Sequence, residues 1–485
     1  MTGVIPLDGA SESDVLLAGA LASQEADQDP IDLAFLAAAR ERHVFDGQAA
    51  FTPLSFAPFD AKSRRTEAMV SQGGQSLRVM KGAVRTVAAA CTLDAAAIEA
   101  LEARVSESAR KGYRTLAVAR SPAAGAPALL GLVTLVDPLR PDAAQLITNL
   151  HDLGVGVKLL TGDALPVALE IAKSVGLPNI RRVDELKAAS TGTGQTDLLA
   201  RVDGFAEVYP QDKYTVVQSL QAAGHVTGMT GDGVNDAPAL RQAEVGIAVS
   251  TATDVAKGAA SVVLTDAGLT NIIALVEQGR TIYQRILTWI INKISRTILK
   301  SAFVTVAYLV TGKFVVSAFT MLLLTFMTDF AKIAIATDHV RPSRKPETWN
   351  IGGFVTVSVV LGLLMVAEAL ALLRFAWTHF GLAANDEALY TFSYLLLLYL
   401  AVFSIVSARE RRWFWTTMPS ATLIAALAAD ALVGTALTYS GLPGLMPLPW
   451  WQTLTLLAYA LVSVLVVNDT VKVVLTRWLV PTAVA

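Results

Sequence analysis

At 485 residues the chain is too long for one ordinary soluble domain, and with 53% hydrophobic and 16% charged residues it departs from the usual soluble balance. A net charge of −2 gives no basis for nucleic-acid binding, and a single cysteine, Cys91, excludes a disulfide framework and a cysteine-based metal site. The amino-terminal MTGVIPLDGASESDV has neither a basic start nor an apolar core, so it does not read as a secretory signal. Apolar residues are unevenly spread: residues 1–285 read as mixed α/β, whereas 286–480 carry six long apolar runs.

Within the first part, residues 128–137 (ALLGLVTLVD) predict a strand ending in Asp137, and 141–154 a helix. VGVKLLTGD (155–163) predicts a second strand, and ALPVALEIAKSVGL (164–177) a second helix. AEVYP, KYTVVQSLQAAG, HVTGMTGDG, VGIAVS and SVVLTD continue the alternation. Alternating β and α elements imply a parallel sheet with helices on both faces, and such sheets gather functional groups at the carboxyl ends of their strands. Asp137, Asp163 and Asp232 all fall there.

Residues 228–240 read GMTGDGVNDAPAL. Glycine lets a backbone turn sharply and approach a ligand closely. Asp232, Asp236 and the Asn235 amide offer hard oxygen ligands, and Mg²⁺ takes one or two carboxylates together with phosphate oxygens and water. The loop therefore suits Mg²⁺ beside a phosphoryl group. The TGD of residues 161–163 alone is a weak signal, and Lys213 alone is more often a solvated surface lysine.

The six apolar runs, at 286–311, 314–336, 352–376, 390–407, 419–438 and 450–471, are each long enough to cross a hydrocarbon core of ~30 Å as a helix. The linker after the second run holds Arg341, Arg344 and Lys345, and that after the fourth holds Arg409, Arg411 and Arg412. THFGLAANDEAL and SGLPGLMPLP, after the third and fifth, hold no Lys or Arg. The positive-inside rule puts the basic linkers in the cytoplasm, and an even number of spans puts both termini there. Trp413, Trp415, Trp450 and Trp451 fit interface anchors. A charge at the bilayer centre costs ~2.5–3.5 kcal/mol or more, so Asp329, Lys293, Arg296, Lys300, Glu368 and Asp430 draw notice, with Asp469 near the end of the last run. For Glu368 and Asp430 a satisfied inter-helix hydrogen bond or an interface position is the commoner explanation. One carboxylate among several cations is a poor cage for Ca²⁺, which wants roughly six to eight oxygens, and suits a proton. No cysteine pair supports a soft-metal site.

GMTGDGVNDAPAL, preceded in order by DPLRP (137–141), LLTGD (159–163) and Lys213, resembles the phosphorylation domain of P-type ion-pumping ATPases of the haloacid dehalogenase superfamily. The resemblance implies a nucleotide-binding domain over 1–125, a phosphorylation domain over 126–285 and a six-helix transmembrane domain over 286–485, matching membrane helices five to ten of that family. It implies that Phe59 in PFDAKSRRT (58–66), Lys81 in VMKGAV (79–84) and Arg114 in GYRTLAVAR (112–120) face ATP, with Asp137 and Arg140 beside it. Val84 and Arg85 stand where the family has Pro and Glu. Thr161, Gly162, Asp163 and Lys213 take catalytic roles, and Asp232, Asn235 and Asp236 hold Mg²⁺. MTDFAKIAIATDHVRPSRKPETWNI resembles plasma-membrane proton pumps, which gives Asp329 the proton and leaves Arg296 and Lys300 both open as its matching cation.

The family phosphorylates an aspartate in DKTGT, and these residues contain no such motif. The expectation is a carboxyl-terminal portion of a proton-exporting ATPase, embedded in the plasma membrane and served by a separate segment that supplies DKTGT, an actuator domain and four more helices. A pump for Mg²⁺ or Ca²⁺ and a non-catalytic nucleotide-binding membrane protein are the competing readings. The ending TRWLVPTAVA argues against the long inhibitory tail of plant and fungal pumps.

Overall fold

The computed structural model describes residues 1–485 apart from positions 8, 28, 47–49, 61, 62, 124, 138, 190, 191, 267, 269, 348, 349, 442, 443 and 481–485. Parts of PFDAKSRRT, of DPLRP, of the linker after the second apolar run and of the chain's end fall on those positions and lie outside the described residues. The chain divides into two compact units, one of Met1–His151 and Gly156–Asn271, the other of Asp152–Val155 and Ile272–Ala485.

The first unit contains a six-stranded antiparallel sheet. Its strands are β1 (Gly3–Pro6), β2 (Thr52–Ala57), β3 (Arg65–Gln72), β4 (Gln75–Ala83), β5 (Arg114–Pro122) and β6 (Ala128–Leu135), in the order β1-β6-β5-β4-β3-β2. Gly73 and Gly74 join β3 to β4 at φ of 56° and 85°, the positive values that a two-residue hairpin turn demands. Helices α1 (Glu12–Leu21), α2 (Pro30–Glu41), α3 (Val84–Ala90) and α4 (Ala95–Ala109) cover the sheet. Side chains alternate along each strand. Val79, Val118 and Val133 accordingly pack with Leu16 and Phe35 of α1 and α2, while Met80, Ala117 and Leu132 pack with Val87 and Leu101 of α3 and α4. Ser11, Asp29 and Asp94 cap three of these helices by accepting first-turn N–H bonds.

ALLGLVTLVD does form a strand, but not in a parallel sheet. As β6 it pairs antiparallel with β5 and β1. A continuous apolar run fits any strand buried on both faces, and the short connection from β5 closes a hairpin at less entropic cost than a distant parallel pairing.

Parallel pairing starts later, and in two pieces instead of one sheet. Strands β7 (Leu159–Leu160), β8 (Ile180–Arg182) and β9 (Gly204–Ala206) pair in the order β7-β9-β8; β10 (Gly228–Gly231), β11 (Val245–Ala248) and β12 (Val262–Val263) pair in sequence order. Helices α5 (Ala143–Asp152), α6 (Leu165–Ser174), α7 (Val183–Ala188), α8 (Thr193–Arg201), α9 (Pro210–Ala222), α10 (Ala237–Gln242) and α11 (Asp254–Ala259) alternate with them. Helix α9 serves both sheets: Val216 packs with Phe205 and Val208, and its neighbour Val217 with Met229 and Ala248. β7 and β10 are edge strands of their sheets.

The second unit is helical. Among the described residues six helices are long and apolar enough to cross a membrane, and the chain is a multi-pass membrane protein. They are α12 (Asn271–Thr311), α13 (Ala318–Ala334, continued by a 3₁₀ turn), α14 (Ile351–His379), α15 (Asp386–Ala408), α16 (Ala421–Ser440) and a last helix. The last helix comprises α17 (Trp450–Val462), a π-helical segment (Ser463–Asn468) and α18 (Asp469–Leu479). Helix α15 is the axis of the unit, with Tyr394, Leu395, Leu396, Leu398 and Leu400 fully buried. At Gly434 a Cβ would lie 2.1 Å from Leu398 Cδ2, so a glycine lets α16 close on α15. Arg409 is buried, not solvated. Its Nε donates to Asp338 at 2.8 Å and its other nitrogens reach the carbonyls of His339, Thr417 and Met418, which ties two linkers together.

Gly204 offers a test of the β7–β9 register. A Cβ there would lie 2.1 Å from the Leu159 carbonyl oxygen, which cannot move without breaking the pairing. Gly204→Ala is expected to destabilise the chain by ~1–3 kcal/mol, read as a lowered melting temperature. Gly258→Ala, where a Cβ meets nothing within 4 Å, should not lower it.

Candidate functional site

Two polar clusters form at the carboxyl ends of the parallel strands. The first follows β7. Thr161 Oγ1 donates to Asp163 Oδ2 at 2.9 Å, and the Asp163 N–H donates back to Thr161 Oγ1 at 3.1 Å. Arg114 Nε donates to Asp163 Oδ1 at 2.6 Å, which brings the first residue of β5 to the TGD loop. The Asp163 hydrogen bond raises the already high pKa of the guanidinium, against the opposing effect of burial, and the Asp137 charge adds to it. The loop's backbone is pinned by Glu207 N–H to the Asp163 carbonyl at 2.9 Å and Val208 N–H to the Thr161 carbonyl at 3.0 Å.

The second cluster follows β10. Lys213, on the first turn of α9, donates to Asp236 Oδ1 at 2.6 Å. Asp236 Oδ2 accepts the N–H groups of Asp232 at 3.2 Å and Gly233 at 3.4 Å. Burial alone would raise the Asp236 carboxyl; the Lys213 hydrogen bond and charge and the two N–H groups hold it below the usual carboxylate range. A Cβ on Gly231 would lie 2.6 Å from Asp236 Cβ, so the glycine makes room for the carboxylate to fold beneath the loop. Asp236 is thus occupied in shaping the loop. The Asp232 carboxylate and the Asn235 amide are exposed on it.

Lys81 is buried. It pairs with Asp32 at 2.6 Å, hydrogen-bonds Ser23 and stands 4.6 Å from the centre of the Phe35 ring, so its ammonium faces the interior. Phe59 is 62% exposed. Asp137 and Arg140 are exposed as well, the latter beside Gly268. Two contacts escaped sequence reasoning: Arg64 Nη2 to the Tyr209 hydroxyl at 3.3 Å, at the start of α9, and the Lys81–Asp32 pair. The second had a signal, since Asp32 lies in the otherwise apolar run Pro30–Ala39.

In the membrane unit a cavity of about 480 Å³ lies between α12 and α13, with Lys293, Arg296, Lys300, Asp329 and Lys332 on its wall. Asp329 is paired with Lys332, one helical turn along the same helix, not with either cation singled out from sequence. Lys300 Nζ reaches Thr325 Oγ1 at 3.4 Å. Arg296 is 3% exposed, and none of its three nitrogens has a hydrogen-bond partner among the described residues. Asp430 Oδ2 also lacks one, so the satisfied hydrogen bond expected there is not complete. Glu368 Oε2 accepts from Asn468 at 3.0 Å, and Asp469 is fully buried against Lys472 at 2.6 Å.

The family of haloacid dehalogenase-like hydrolases matches residues 2–244. A protein of Methanocaldococcus jannaschii that bears the name of a cation-transporting ATPase is 34% identical over 98% of this chain and 59% of its own length. Plasma membrane ATPase 1 of Saccharomyces cerevisiae is 32% identical over 92% of this chain and 49% of its own, and plasma membrane ATPase 2 over 92% and 48%. The chain therefore spans between about half and three-fifths of the length of these relatives.

The Lys213–Asp236 pair makes a pH-dependent prediction. Asp236 titrates below its unfolded value of about 4, so the pair's stabilisation is complete above that pH and is lost as pH falls through the lower folded value. Lys213→Met should cost ~1–3 kcal/mol at pH 7 by stranding a buried carboxylate. In thermal melts of the full chain, the gap to wild type should narrow as pH drops below about 4; a pH-independent gap would contradict the pairing.

Proposed function

The chain belongs to the haloacid dehalogenase-like hydrolases, in their P-type ATPase branch, and on that premise we propose that it is the carboxyl-terminal portion of an ATP-driven proton exporter. The observations that carry the reading are two polar clusters, each at the carboxyl end of a parallel strand: Arg114, Thr161 and Asp163 after β7, and Lys213 with the Asp232–Asp236 loop after β10. Phosphoryl transfer asks for positioning and charge neutralisation more than for covalent chemistry by many groups. Arg114 and Lys213 supply cations, and both are held in place by carboxylates that can release them to a more highly charged phosphate. Exposed oxygens on Asp232 and Asn235 fit Mg²⁺, whose remaining ligands come from phosphate and water. Bound there, Mg²⁺ would neutralise charge on the transferred group. Asp236 holds the loop's shape, Phe59 is free to stack on a base, and Lys81 braces the sheet against its covering helices through Asp32 and Ser23. Asp137 and Arg140 border the same end of the molecule's α/β part by sequence.

The phosphate-accepting carboxylate belongs, on this reading, to a DKTGT segment preceding the residues described here, together with an actuator domain and four further helices. A strand leading into DKTGT finds unpaired edges at β7 and β10. The six spans lie in the plasma membrane with the basic linkers and both termini in the cytoplasm, following the distribution of Arg and Lys. Asp329 carries the proton. A lone carboxylate among four cations in one cavity favours a proton over Ca²⁺, which needs a cage of oxygens. The non-catalytic reading applies to these residues alone, because they lack the nucleophile.

Incubated with ATP and Mg²⁺, the 485 residues by themselves should bind nucleotide without forming an acid-stable phosphoprotein. Joined to or co-expressed with a DKTGT-bearing amino-terminal portion, they should form one. In that joined pump Asp329→Asn should abolish proton uptake into vesicles. A phosphoprotein from the isolated chain would overturn the division of labour, and undiminished pumping by the Asn variant would overturn the role of Asp329.

A further inference from the structure

Away from the Asp329 cavity, a second polar site lies where the last helix departs from α-helical geometry. The π-helical segment Ser463–Asn468 displaces the backbone by one residue, and such segments recur where a helix re-aims a side chain for function. Asn468 is 97% buried by complement of its 3% exposure. Its Nδ2 donates to Glu368 Oε2 at 3.0 Å, while its Oδ1 has no partner among the described residues. Asn468 lines a small cavity of about 10 Å³, whose other polar walls are Ser295, Ser404 and Ser407.

The hydroxyl protons of those serines are already committed. Ser295 donates to the Ile291 carbonyl at 2.7 Å, Ser404 to the Ala401 carbonyl at 2.7 Å, and Ser407 to Asp469 Oδ1 at 2.9 Å. The cavity wall therefore offers oxygen lone pairs and asks for a donor. Its volume matches one water molecule, which needs two to four polar partners and finds them here. An uncompensated acceptor in an apolar interior costs of the order of a lost hydrogen bond, so an empty cavity is the less stable state.

Glu368 stands on the other side of Asn468. Among the described residues no Lys, Arg or His forms an ion pair with it. The titratable group that faces it from the last helix is Tyr459, whose hydroxyl donates to the Glu368 carbonyl oxygen at 2.8 Å. Helices α12 and α15 present serines at this level: Ser295, Ser404 and Ser407. Glu368 is half-buried; a bare carboxylate on a membrane-spanning helix is costly, and such a group without a counter-charge neutralises by taking a proton. Asn468 occupies only Oε2, which leaves Oε1 free to carry it.

We propose that the small cavity holds one internal water bound to Asn468 and the serines, and that Glu368, linked to that water through the Asn468 amide, is a second proton-holding carboxyl of the membrane unit. The step is a simple protonation: the carboxylate gains one proton at Oε1 to become the acid, and no other bond changes. The site is independent of Asp329 and of which ion the protein moves.

The test is infrared difference spectroscopy of the full chain in lipid nanodiscs during a pH titration. The C=O band of a protonated acid should be present, disappear in Glu368→Gln, and shift in Asn468→Leu. An O–H band of an isolated water, identified by its shift in H₂¹⁸O, should disappear in Asn468→Leu and move in Ser404→Ala. Glu368→Asp keeps an acid and should give a displaced band, which guards against a variant that fails to fold. Identical wild-type and Glu368→Gln spectra would overturn the protonation. A melting temperature raised by Na⁺ or K⁺ in wild type, but not in Asn468→Leu, would overturn the water in favour of a cation.

Discussion

Burying a carboxylate obliges a protein to surround it with donors, and the loop at 231–236 is organised by that obligation. Asp236 is folded under its own loop, held by Lys213 from α9 and by two backbone N–H groups. The loop can therefore present Asp232 and Asn235 outward without collapsing. Because Lys213 sits on the helix whose adjacent valines pack on the two parallel sheets, the same pair sets the loop relative to both. The TGD turn is organised the same way, with Asp163 accepting Thr161 and Arg114. In each cluster a cation is positioned by a carboxylate and stands close to where phosphate charge is expected.

The membrane unit shows the converse. Arg296 is as buried as Asp236 but has no partner among the described residues, and it lines a cavity with three lysines. Asp236 has its charge met by Lys213 and two N–H groups, whereas the Arg296 nitrogens have no hydrogen-bond partner among the described residues. Arg409 and Asp338 sit between these cases, a fully buried pair that fastens two linkers and takes no part in the cavity.

Much of this was legible in the sequence, for physical reasons. Six apolar runs announced six helices because a single continuous run of that length satisfies its own backbone inside a bilayer only as a helix. The GDGVND loop announced itself because glycines and carboxylates after an apolar strand have few other uses. The strand at 128–135 was visible but its partners were not, since pairing depends on which neighbour is nearest and not on the run itself. Lys81 was expected from the resemblance to face ATP, and its burial against Asp32, 49 residues away, depends on a long-range contact that its own sequence neighbours do not display. Asp329 was found by its apolar surroundings, yet its cation, Lys332, was overlooked in favour of residues on the preceding helix. The π-helical segment and the Asn468 site left no periodic trace, because a one-residue insertion in a helix barely changes an apolar pattern.

The proposed function requires both clusters to hold the phosphates of one nucleotide. Calorimetric titration of the full chain with ATP, with and without Mg²⁺, tests it most directly. The account expects saturable binding that Mg²⁺ strengthens, with Arg114→Met weakening it about tenfold or more, as loss of one charged hydrogen bond implies, and Asp232→Asn removing the Mg²⁺ effect. Absence of binding, or binding indifferent to both substitutions, would contradict it.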